Sequence, residues 1–243
     1  MKKRLDLKCV ELGLFDSREK AKRHIMAGEV SVNGRIVCDS SYSVKDGESI
    51  EVIQKIPYVS RGGLKLKAAI DYFKINLTDK ICLDVGVATG GFSDCMLSEG
   101  AKKVYGVDVG KGQIDRKLLK NDRFVFIPNT NARYLTPDIF SDKIDFVAVD
   151  VSFISLKLII PSLLKSISDT AEIVFLVKPQ FELEPGDLKN GIVKTEELRL
   201  KALLEIKNFV ENFPVEIIGN IDCPIKGIKG NKEFLLYVKK TSK

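Results

Sequence analysis

The sequence predicts an α/β fold with a mostly parallel, doubly wound sheet, preceded by a small α+β module. From residue 81 onward, short apolar runs alternate with helix-like segments. Several of these runs end at a polar residue, as strands do at the ligand-binding edge of such a sheet. Residues 1–54, in contrast, combine two short helical patterns with a hairpin pattern, which indicates a separate module.

Length and composition limit the possible classes of protein. The 243 residues suffice for one large domain or for a large and a small one, and the net charge of +6 suits a polyanionic partner. The N-terminus has no apolar signal-peptide core, and no apolar run reaches the roughly 18 residues of a membrane span. The five cysteines form no C-x-x-C pair, so we expect a reduced, cytoplasmic protein without disulfides or zinc.

The first module is predicted from local patterns. Residues 4–14 have a helical pattern, and its apolar face contains Leu5, Cys9 and Leu12. A capping box at 16–19 begins a second helix, which extends to about Ala27. Asn33-Gly34 predicts a two-residue hairpin turn, and a strand is expected at 49–53.

Positive charge is concentrated at the start of the chain, where the first 25 residues contain eight Lys and Arg against four Asp and Glu. Such a run often forms only a solvated helix face, but this basic helix leads directly into a small hairpin. The module resembles the alpha-L RNA-binding motif of ribosomal protein S-four, including E-V-x-V-N-G-R at 29–35. The resemblance implies contacts to RNA phosphates. The expected contacts are Arg4, Arg18, Lys20, Lys22, Arg23, His24, Arg35 and Arg61.

A linker is predicted at 55–63, where Pro57 disfavours a helix, and a second domain at 64–243. The second domain begins with a helical pattern whose core-facing positions are Leu66, Ala69, Ile70 and Phe73. Lys65 lies in the first turn, where the positive helix N-terminus disfavours a cation. Lys65 is therefore either a plain surface lysine or a lysine with a specific partner.

Residues 81–110 have the pattern strand, glycine turn, helix, strand and acid, which is typical of a Rossmann-like nucleotide-binding unit. The glycines at 86, 90 and 91 allow a sharp turn with a ligand against the backbone. Asp108 ends the second strand, where a carboxylate can accept hydrogen bonds from two ribose hydroxyls.

Two residues of this stretch bear on which ligand it binds. Ala88 occupies the place of the second glycine in a dinucleotide fingerprint, and Asp84 would repel phosphates. A ligand with a cationic end, such as S-adenosylmethionine, is favoured over a dinucleotide or a turn without a ligand. The expected cofactor contacts are Asp84, Gly86, Gly90, Gly91, Phe92, Asp108, Val109, Asn131 and Ala132.

The rest of the chain continues the alternation. Further strands are expected at 124–127, 144–149, 173–177, 215–220 and 234–239, and helices at 156–167 and 195–213. Residues 184–194 form a glycine-bearing loop that is a candidate lid. Polar residues at so many consecutive strand ends indicate one shared site.

Asp150 and Lys178 end neighbouring apolar strands and form either a structural ion pair or part of a reaction centre. The single histidine, His24, is far from the glycine turn in sequence, so a base must be another residue type. A lysine can deprotonate a ribose hydroxyl if burial and a second cation lower its pKa. Lys178 is the candidate base, Lys65 the second cation and Asp150 the positioning carboxylate. Phe153 is either a core aromatic or a platform that stacks on the target base.

The chain is similar from end to end to the TlyA-type hemolysin and rRNA ribose methyltransferase family. The matching segments are S-R-G-G-L-K-L at 60–66, D-V-G-V-A-T-G-G-F-S at 84–93, V-D-V-S-F-I-S-L at 149–156 and V-K-P-Q-F-E at 177–182. The second domain resembles the FtsJ-type ribose methyltransferases, which use a Lys-Asp-Lys-Glu tetrad. This resemblance implies the catalytic residues Lys65, Asp150, Lys178 and Glu233, with Glu182 as the alternative to Glu233.

The family resemblance also implies an activity and partners. It implies S-adenosylmethionine-dependent 2′-O-methylation of a cytidine ribose in ribosomal RNA, and the chain length suggests the shorter members that modify large-subunit (23S) RNA. We expect ribosomal RNA or a ribosomal subunit as the partner, no membrane, no metal and a monomeric protein. The alternatives are a hemolysin or cytolysin that acts on membranes, a non-catalytic RNA-binding protein and a dehydrogenase.

Overall fold

The structure, a computed structural model, describes residues 2–26, 28–53, 57–110, 113–227 and 230–241. The chain divides into two compact units, Met1–Arg61 and Gly62–Lys243. Parts of two sequence predictions lie outside the described residues: the helix end at Ala27 and the start of the linker at 55–56. No helix among the described residues is both long and apolar enough to cross a membrane.

The first unit consists of two helices and small antiparallel sheets in its described part. Its elements are β1 (Lys2–Arg4), α1 (Leu5–Glu11), α2 (Arg18–Met26), β2 (Val30–Val32), β3 (Arg35–Ile36), β4 (Ser43–Lys45) and β5 (Ile50–Val52). β1 pairs with β4, and β2 lies between β3 and β5. Asn33 and Gly34 both have positive φ, as a two-residue hairpin turn between β2 and β3 requires.

Two details of the first unit differ from the sequence prediction. α1 ends at Glu11, so Leu12 follows the helix and is exposed, while Leu5 and Cys9 are fully buried. Ser17 rather than Asp16 caps α2, since Ser17 Oγ accepts a hydrogen bond from the Lys20 N–H at 3.2 Å. Asp16 instead forms an ion pair with the Lys20 side chain.

The second unit contains a seven-stranded, mostly parallel sheet in the part of the chain that is described, which confirms the predicted fold class. Its strands are β6 (Ile81–Val85), β7 (Lys103–Val107), β8 (Phe124–Ile127), β9 (Phe146–Val149), β10 (Glu172–Val177), β13 (Val215–Asp222) and β14 (Phe234–Lys240), with a separate hairpin of β11 (Leu188–Lys189) and β12 (Ile192–Val193). The helices are α3 (Gly62–Phe73), α4 (Gly91–Ser98), α5 (Arg116–Leu119), α6 (Ile160–Ser166), α7 (Pro179–Glu182) and α8 (Glu196–Val210).

The strand order is β13-β14-β10-β9-β6-β7-β8. The strands from β10 to β8 are parallel, and β14 is antiparallel to both of its neighbours. All four residues of β9 are buried, as expected for a parallel strand covered on both faces. The chain turns from β6 toward β7 and β8 on one side, while β9 and β10 lie on the other. The carboxyl ends of β6 and β9 therefore flank a topological switch point, where open α/β sheets bind ligands.

Two segments of the second unit are more finely divided than the sequence pattern predicts. The expected helix at 156–167 is split into a 3₁₀ turn at Leu156–Leu158 and α6. Pro161 accounts for the split, because proline has no N–H to donate and fits only in the first turn of a helix. The expected loop at 184–194 contains the β11–β12 hairpin, whose turn includes Asn190 and Gly191, both with positive φ.

Candidate active site

The turn after β6 brings the ends of β6 and β9 into close contact. Gly86 has a φ of 89°, and a Cβ atom at this position would lie 2.4 Å from the backbone oxygen of Asp150. The Asp150 N–H in turn donates to the Val85 carbonyl at 2.9 Å. Gly90, with a φ of 95°, is the N-cap residue of α4. Glycine is thus needed at position 86 both for the backbone conformation and for the approach of the neighbouring strand.

A cavity of about 770 Å³ lies at the carboxyl ends of the parallel strands. Its size is within the range of sites that bind cofactors and other small molecules. The expected site residues that line it are Gly86, Asp108, Val109, Asn131, Ala132, Asp150 and Phe153. Four other expected cofactor contacts are not among the described lining residues: Asp84, Gly90, Gly91 and Phe92.

Asp108 joins the loops that follow β6 and β7. Its Oδ2 accepts a hydrogen bond from the Ala88 N–H at 2.9 Å, and its Oδ1 accepts from the Gly110 N–H at 2.7 Å. The backbone carbonyl of Asp108 accepts from the Thr130 N–H at 2.9 Å, which extends the connection to the loop after β8. Asn131 Oδ1 accepts from the Arg133 N–H at 3.0 Å and begins a 3₁₀ turn there. These hydrogen bonds hold three strand-end loops around the cavity.

Asp84 is fully buried at the end of β6. Its Oδ2 accepts hydrogen bonds from both the N–H and the Oγ of Ser93, at 2.9 and 2.6 Å, which fastens the start of α4 to the strand. Its Oδ1 has no hydrogen-bond partner among the described residues. Burial raises the pKa of Asp84 to about 7, against the lowering effect of the Ser93 hydrogen bonds.

Two buried ion pairs bring together the four residues of the expected tetrad. Lys178 Nζ, directly after β10, is 2.5 Å from Asp150 Oδ1 and donates to Ser152 Oγ at 2.9 Å. Lys65 Nζ, on α3, donates to Glu233 Oε2 at 2.6 Å. The Lys65 and Lys178 side chains are only 11% and 9% exposed. Four separate elements therefore place two lysines and two carboxylates in one cluster beside the cavity.

The charges of the two ion pairs are coupled. Burial by itself would lower the pKa of Lys65, but the carboxylates of Asp150 and Glu233 outweigh this effect, and the net pKa lies above its ordinary value. Lys65 is therefore a cation at neutral pH, as the sequence-based hypothesis for a second cation requires. Burial also raises the pKa of the neighbouring Cys223 thiol to about 11, so this side chain is neutral.

Glu182, the alternative fourth residue, has a different set of contacts. Its Oε1 accepts from the Leu156 N–H at 2.9 Å, and its Oε2 accepts from Ser155 Oγ at 2.5 Å. Glu182 thus anchors the turn that follows β9, and burial raises its pKa. Because Lys65 forms its ion pair with Glu233, while Glu182 binds Ser155 and Leu156, the geometry favours Glu233 as the fourth member of the cluster.

Phe153 is exposed at the cavity, and its exposed fraction of 91% rules out a core aromatic. Its backbone φ is +63°, a conformation that bulky residues rarely adopt. The ring centroid lies 5.1 Å from that of Phe181, and Lys178 Nζ is 5.9 Å from the Phe181 centroid. An exposed aromatic ring on strained backbone beside a reactive cluster is typical of a functional contact.

The basic residues of the first unit have unequal environments. Arg4 Nη2 and Arg18 Nε bind the same oxygen of the buried Asp6, at 2.9 and 3.1 Å, and the hydrogen bond from Arg4 contributes most to lowering the Asp6 pKa to about 2. Lys20 and Lys22 form surface ion pairs within or next to α2. Arg23 and Arg35 are exposed.

The two remaining expected RNA contacts of the first unit are more enclosed. The His24 ring stacks on Phe15 at a centroid distance of 4.6 Å, and His24 Nδ1 contacts Glu29. The Arg61 side chain packs so closely over Gly28 that a Cβ there would lie 2.4 Å from Arg61 Cδ. Both side chains have structural contacts within the unit, and their roles in RNA binding stay predictions.

Two serines of the site, Ser152 and Ser93, were not predicted from the sequence. Ser93 lies nine residues after its partner Asp84, and no local pattern indicates that pairing. Ser152 follows Asp150 by two residues, and residues at this spacing in an extended segment share one side. This alternation was the available signal for a second polar group beside Lys178.

Comparison with known proteins agrees with this architecture. The family model for FtsJ-like methyltransferases matches residues 58–240, and the model for the S4 domain matches residues 3–50. Hemolysin A of Brachyspira hyodysenteriae is 44% identical over 236 residues, which cover 96% of this chain and 98% of that protein. The 16S/23S rRNA (cytidine-2′-O)-methyltransferase TlyA of Mycobacterium tuberculosis is 36% identical over 239 residues, which cover 97% of this chain and 89% of that protein.

A solved structure described as a hemolysin, from Streptococcus thermophilus, is 41% identical and covers 99% of this chain and 89% of its own. Its TM-score is 0.79, so the likeness extends to the fold. The family model matches well over half of the chain, and the relatives cover almost all of it. The chain therefore belongs to the FtsJ-like methyltransferase family.

Proposed function

We propose that this protein transfers a methyl group from S-adenosylmethionine to the 2′-oxygen of a cytidine ribose in ribosomal RNA, with large-subunit RNA as the first candidate substrate. The main support is the buried cluster of Lys178, Asp150, Lys65 and Glu233 beside a cavity at the switch point of the sheet. The name of the M. tuberculosis relative supplies the cytidine and the ribosomal RNA.

The residues around the cavity fit S-adenosylmethionine. Asp108 offers two carboxylate oxygens for ribose hydroxyls, and its side-chain partners among the described residues are the backbone N–H groups of Ala88 and Gly110. Gly86, Val109, Asn131 and Ala132 line the same cavity. Asp84, two residues before Gly86, keeps Oδ1 unpartnered among the described residues, and its ionised form favours a cationic ligand. When bound, the cofactor supplies a sulfonium methyl group whose carbon–sulfur bond breaks, with the electron pair going to sulfur, as the ribose oxygen bonds to the methyl carbon.

The residues of the cluster have distinct roles in this proposal. Lys178, as the neutral amine, accepts the proton of the 2′-hydroxyl and becomes an ammonium ion. Asp150 holds the Lys178 side chain and stabilises that ammonium ion. Lys65 stays cationic beside the site of proton transfer, and Glu233 holds Lys65 in place. Phe153 stacks on the target base, and the basic residues of the first unit bind RNA phosphates.

The direct test is methyl transfer from tritiated S-adenosylmethionine to purified ribosomal subunits, followed by mapping of the modified nucleotide. We expect label in large-subunit RNA, at the 2′-oxygen of a cytidine. Label on a base instead of a ribose, or no label in either subunit, would contradict the proposal. Label only in the small subunit would contradict the choice of substrate RNA.

The hemolysin names of two relatives call for a parallel measurement. Purified protein is added to dye-loaded vesicles of anionic and neutral phospholipid. We expect no leakage at concentrations that give full methyl transfer. Leakage from a preparation that transfers no methyl group would favour a lytic protein.

A further inference from the structure

We propose that Ser152 is a positioning residue that directs the lone pair of the Lys178 amine toward the ribose hydroxyl. This inference rests on the proposed function, because it assigns a role in the same proton transfer. Ser152 lines the cavity, and its Oγ accepts a hydrogen bond from Lys178 Nζ at 2.9 Å.

The inference follows from the number of donors on a lysine side chain. A lysine that acts as a base is a neutral amine, which has two N–H donors and one lone pair in a tetrahedral arrangement. Among the described residues, Lys178 Nζ forms an ion pair with Asp150 Oδ1 at 2.5 Å and donates a hydrogen bond to Ser152 Oγ at 2.9 Å. The ion pair limits where Nζ lies, and the hydrogen bond to Ser152 fixes the direction of one N–H, which restricts the directions left for the lone pair. With Asp150 alone, the amine can rotate about the Cε–Nζ bond, and the lone pair has no fixed direction.

The backbone explains why Ser152 can reach this position. Asp150 and Ser152 are two residues apart on the segment that leaves β9, so their side chains can lie on the same side. The left-handed conformation of Phe153 then turns the chain, and Ser152 and Phe153 both line the cavity. Ser152 is exposed, so its own hydroxyl proton can bond to water or RNA while its oxygen accepts from Lys178.

The other groups around this cluster do not replace the hydroxyl. Lys65 and the neutral Cys223 thiol offer Lys178 no strong acceptor, and Glu233 is held by Lys65 at 2.6 Å. The Phe181 ring lies 5.9 Å from Lys178 Nζ and attracts only the charged form of the amine. Ser152 is therefore the group that completes the orientation of the neutral amine.

In this step, the proton and the electron pairs are all accounted for. It leaves the ribose 2′-oxygen and forms a bond to Lys178 Nζ with the lone pair of the amine. The oxygen keeps the electron pair of its O–H bond and forms the new bond to the methyl carbon. The ion pair with Asp150 and the hydrogen bond from Nζ to Ser152 persist, so no rearrangement of the cluster accompanies the transfer.

The kinetic test compares Ser152→Ala and Ser152→Thr with the wild-type protein. We expect Ser152→Ala to lower kcat roughly 10- to 100-fold without changing the KM for S-adenosylmethionine or RNA, because only the orientation of the base is lost. Ser152→Thr keeps the hydroxyl and should restore most of kcat. The matched control is Ser98→Ala on α4, which also removes one side-chain hydroxyl, here bonded to the Asp94 carbonyl at 2.7 Å, and should behave as wild type.

A second readout needs neither cofactor nor RNA. Nitrogen-15 relaxation of the lysine side chains reports how far each Nζ group is fixed, and Lys178→Ala identifies the signal of Lys178. We expect the order parameter of this signal to fall in Ser152→Ala and to stay unchanged in Ser98→Ala and Ser152→Thr. An unchanged order parameter in Ser152→Ala, or a wild-type kcat, would overturn the role of Ser152.

The two proposals can fail separately. If the wild-type protein transfers methyl groups and Lys178→Ala does not, the proposed function stands whatever Ser152→Ala does. If Ser152→Ala lowers kcat and Ser152→Thr does not restore it, the hydroxyl is not the active feature, and the inference about Ser152 is wrong. Circular dichroism and thermal melting of each variant identify any loss that comes from misfolding.

Discussion

The charged residues of the two units differ mainly in the burial of their partners. In the first unit, Lys20 and Lys22 pair with Asp16 and Glu19, which are 87% and 80% exposed. In the second unit, Lys65 pairs with Glu233, which is 2% exposed. Exposed pairs contribute little and break easily, so these lysines can exchange their partners for RNA phosphates. Buried pairs are costly to break and therefore hold a fixed geometry, as a reaction centre requires.

The buried carboxylate of Asp6, in the first unit, modifies this contrast. It is fully buried and binds both Arg4 and Arg18, whose side chains are about half exposed. One negative charge is thus shared by two arginines, and the group retains a net positive charge at the surface. Burial of the acid orients basic groups in both units, but in the first unit the basic groups still reach solvent.

The largest effect is expected for Lys178→Ala. Because this change removes the base, we expect methyl transfer to fall about 1000-fold, while S-adenosylmethionine binding, measured by calorimetry, stays near wild type. Lys67→Ala is the control, since Lys67 pairs with Asp71 and Glu99 at the surface. Substantial activity in Lys178→Ala would refute the assignment of Lys178 as the base.

The difference between buried and exposed ion pairs can also be tested through the free energy of unfolding, by removing Lys65 from its pair with Glu233. We expect Lys65→Ala to lower the free energy of unfolding by about 3 kcal/mol, because Glu233 is left buried without its cation. On the same helix, Lys67→Ala should cost below about 1 kcal/mol. Urea denaturation of both variants measures the difference. Equal losses would mean that the Lys65–Glu233 pair is no more important to stability than a surface pair.

Asp84 should make stability depend on pH. Burial raises its pKa to about 7 in the folded protein, from an ordinary value of 3.8. The folded state therefore holds the proton more tightly, and this contribution to stability is complete below about pH 4 and is lost as pH rises through about 7. Asp84→Asn should flatten the pH dependence of urea denaturation in that window. An identical dependence in the variant would show that other groups cause it.

The smallest effect is expected in the first unit, from the double variant Lys22→Gln/Arg23→Gln. If both side chains contact RNA phosphates, the slope of log affinity against log salt concentration should fall by about 2 units, with little change in kcat. Lys102→Gln is the control, because Lys102 is an exposed lysine of the second unit outside the expected RNA contacts. A slope equal to that of the wild type would exclude this part of α2 as an RNA contact.

Local patterns of the sequence were sufficient to predict the fold class and to predict that polar residues gather at the carboxyl ends of the strands. The apolar runs predicted β6, β8 and β10 almost to the residue, because buried parallel strands are continuous apolar segments. The Asn33-Gly34 turn was also predictable, since its backbone conformation depends on those two residues. The helix split at Pro161 and the cap at Ser17 were missed, although both have local causes.

The amino-acid sequence by itself determined which residue types end the strands, and so the chemistry that one edge of the sheet offers. Only the tertiary structure decided which groups meet: Lys65 and Glu233 are 168 residues apart, and Ser93 binds one oxygen of Asp84. It also decided that Phe153 is exposed and that Ser152 contacts Lys178. The physical reason is that periodicity and turn preference act over a few residues. Burial and ion pairing depend on the packing of segments that are distant in the chain.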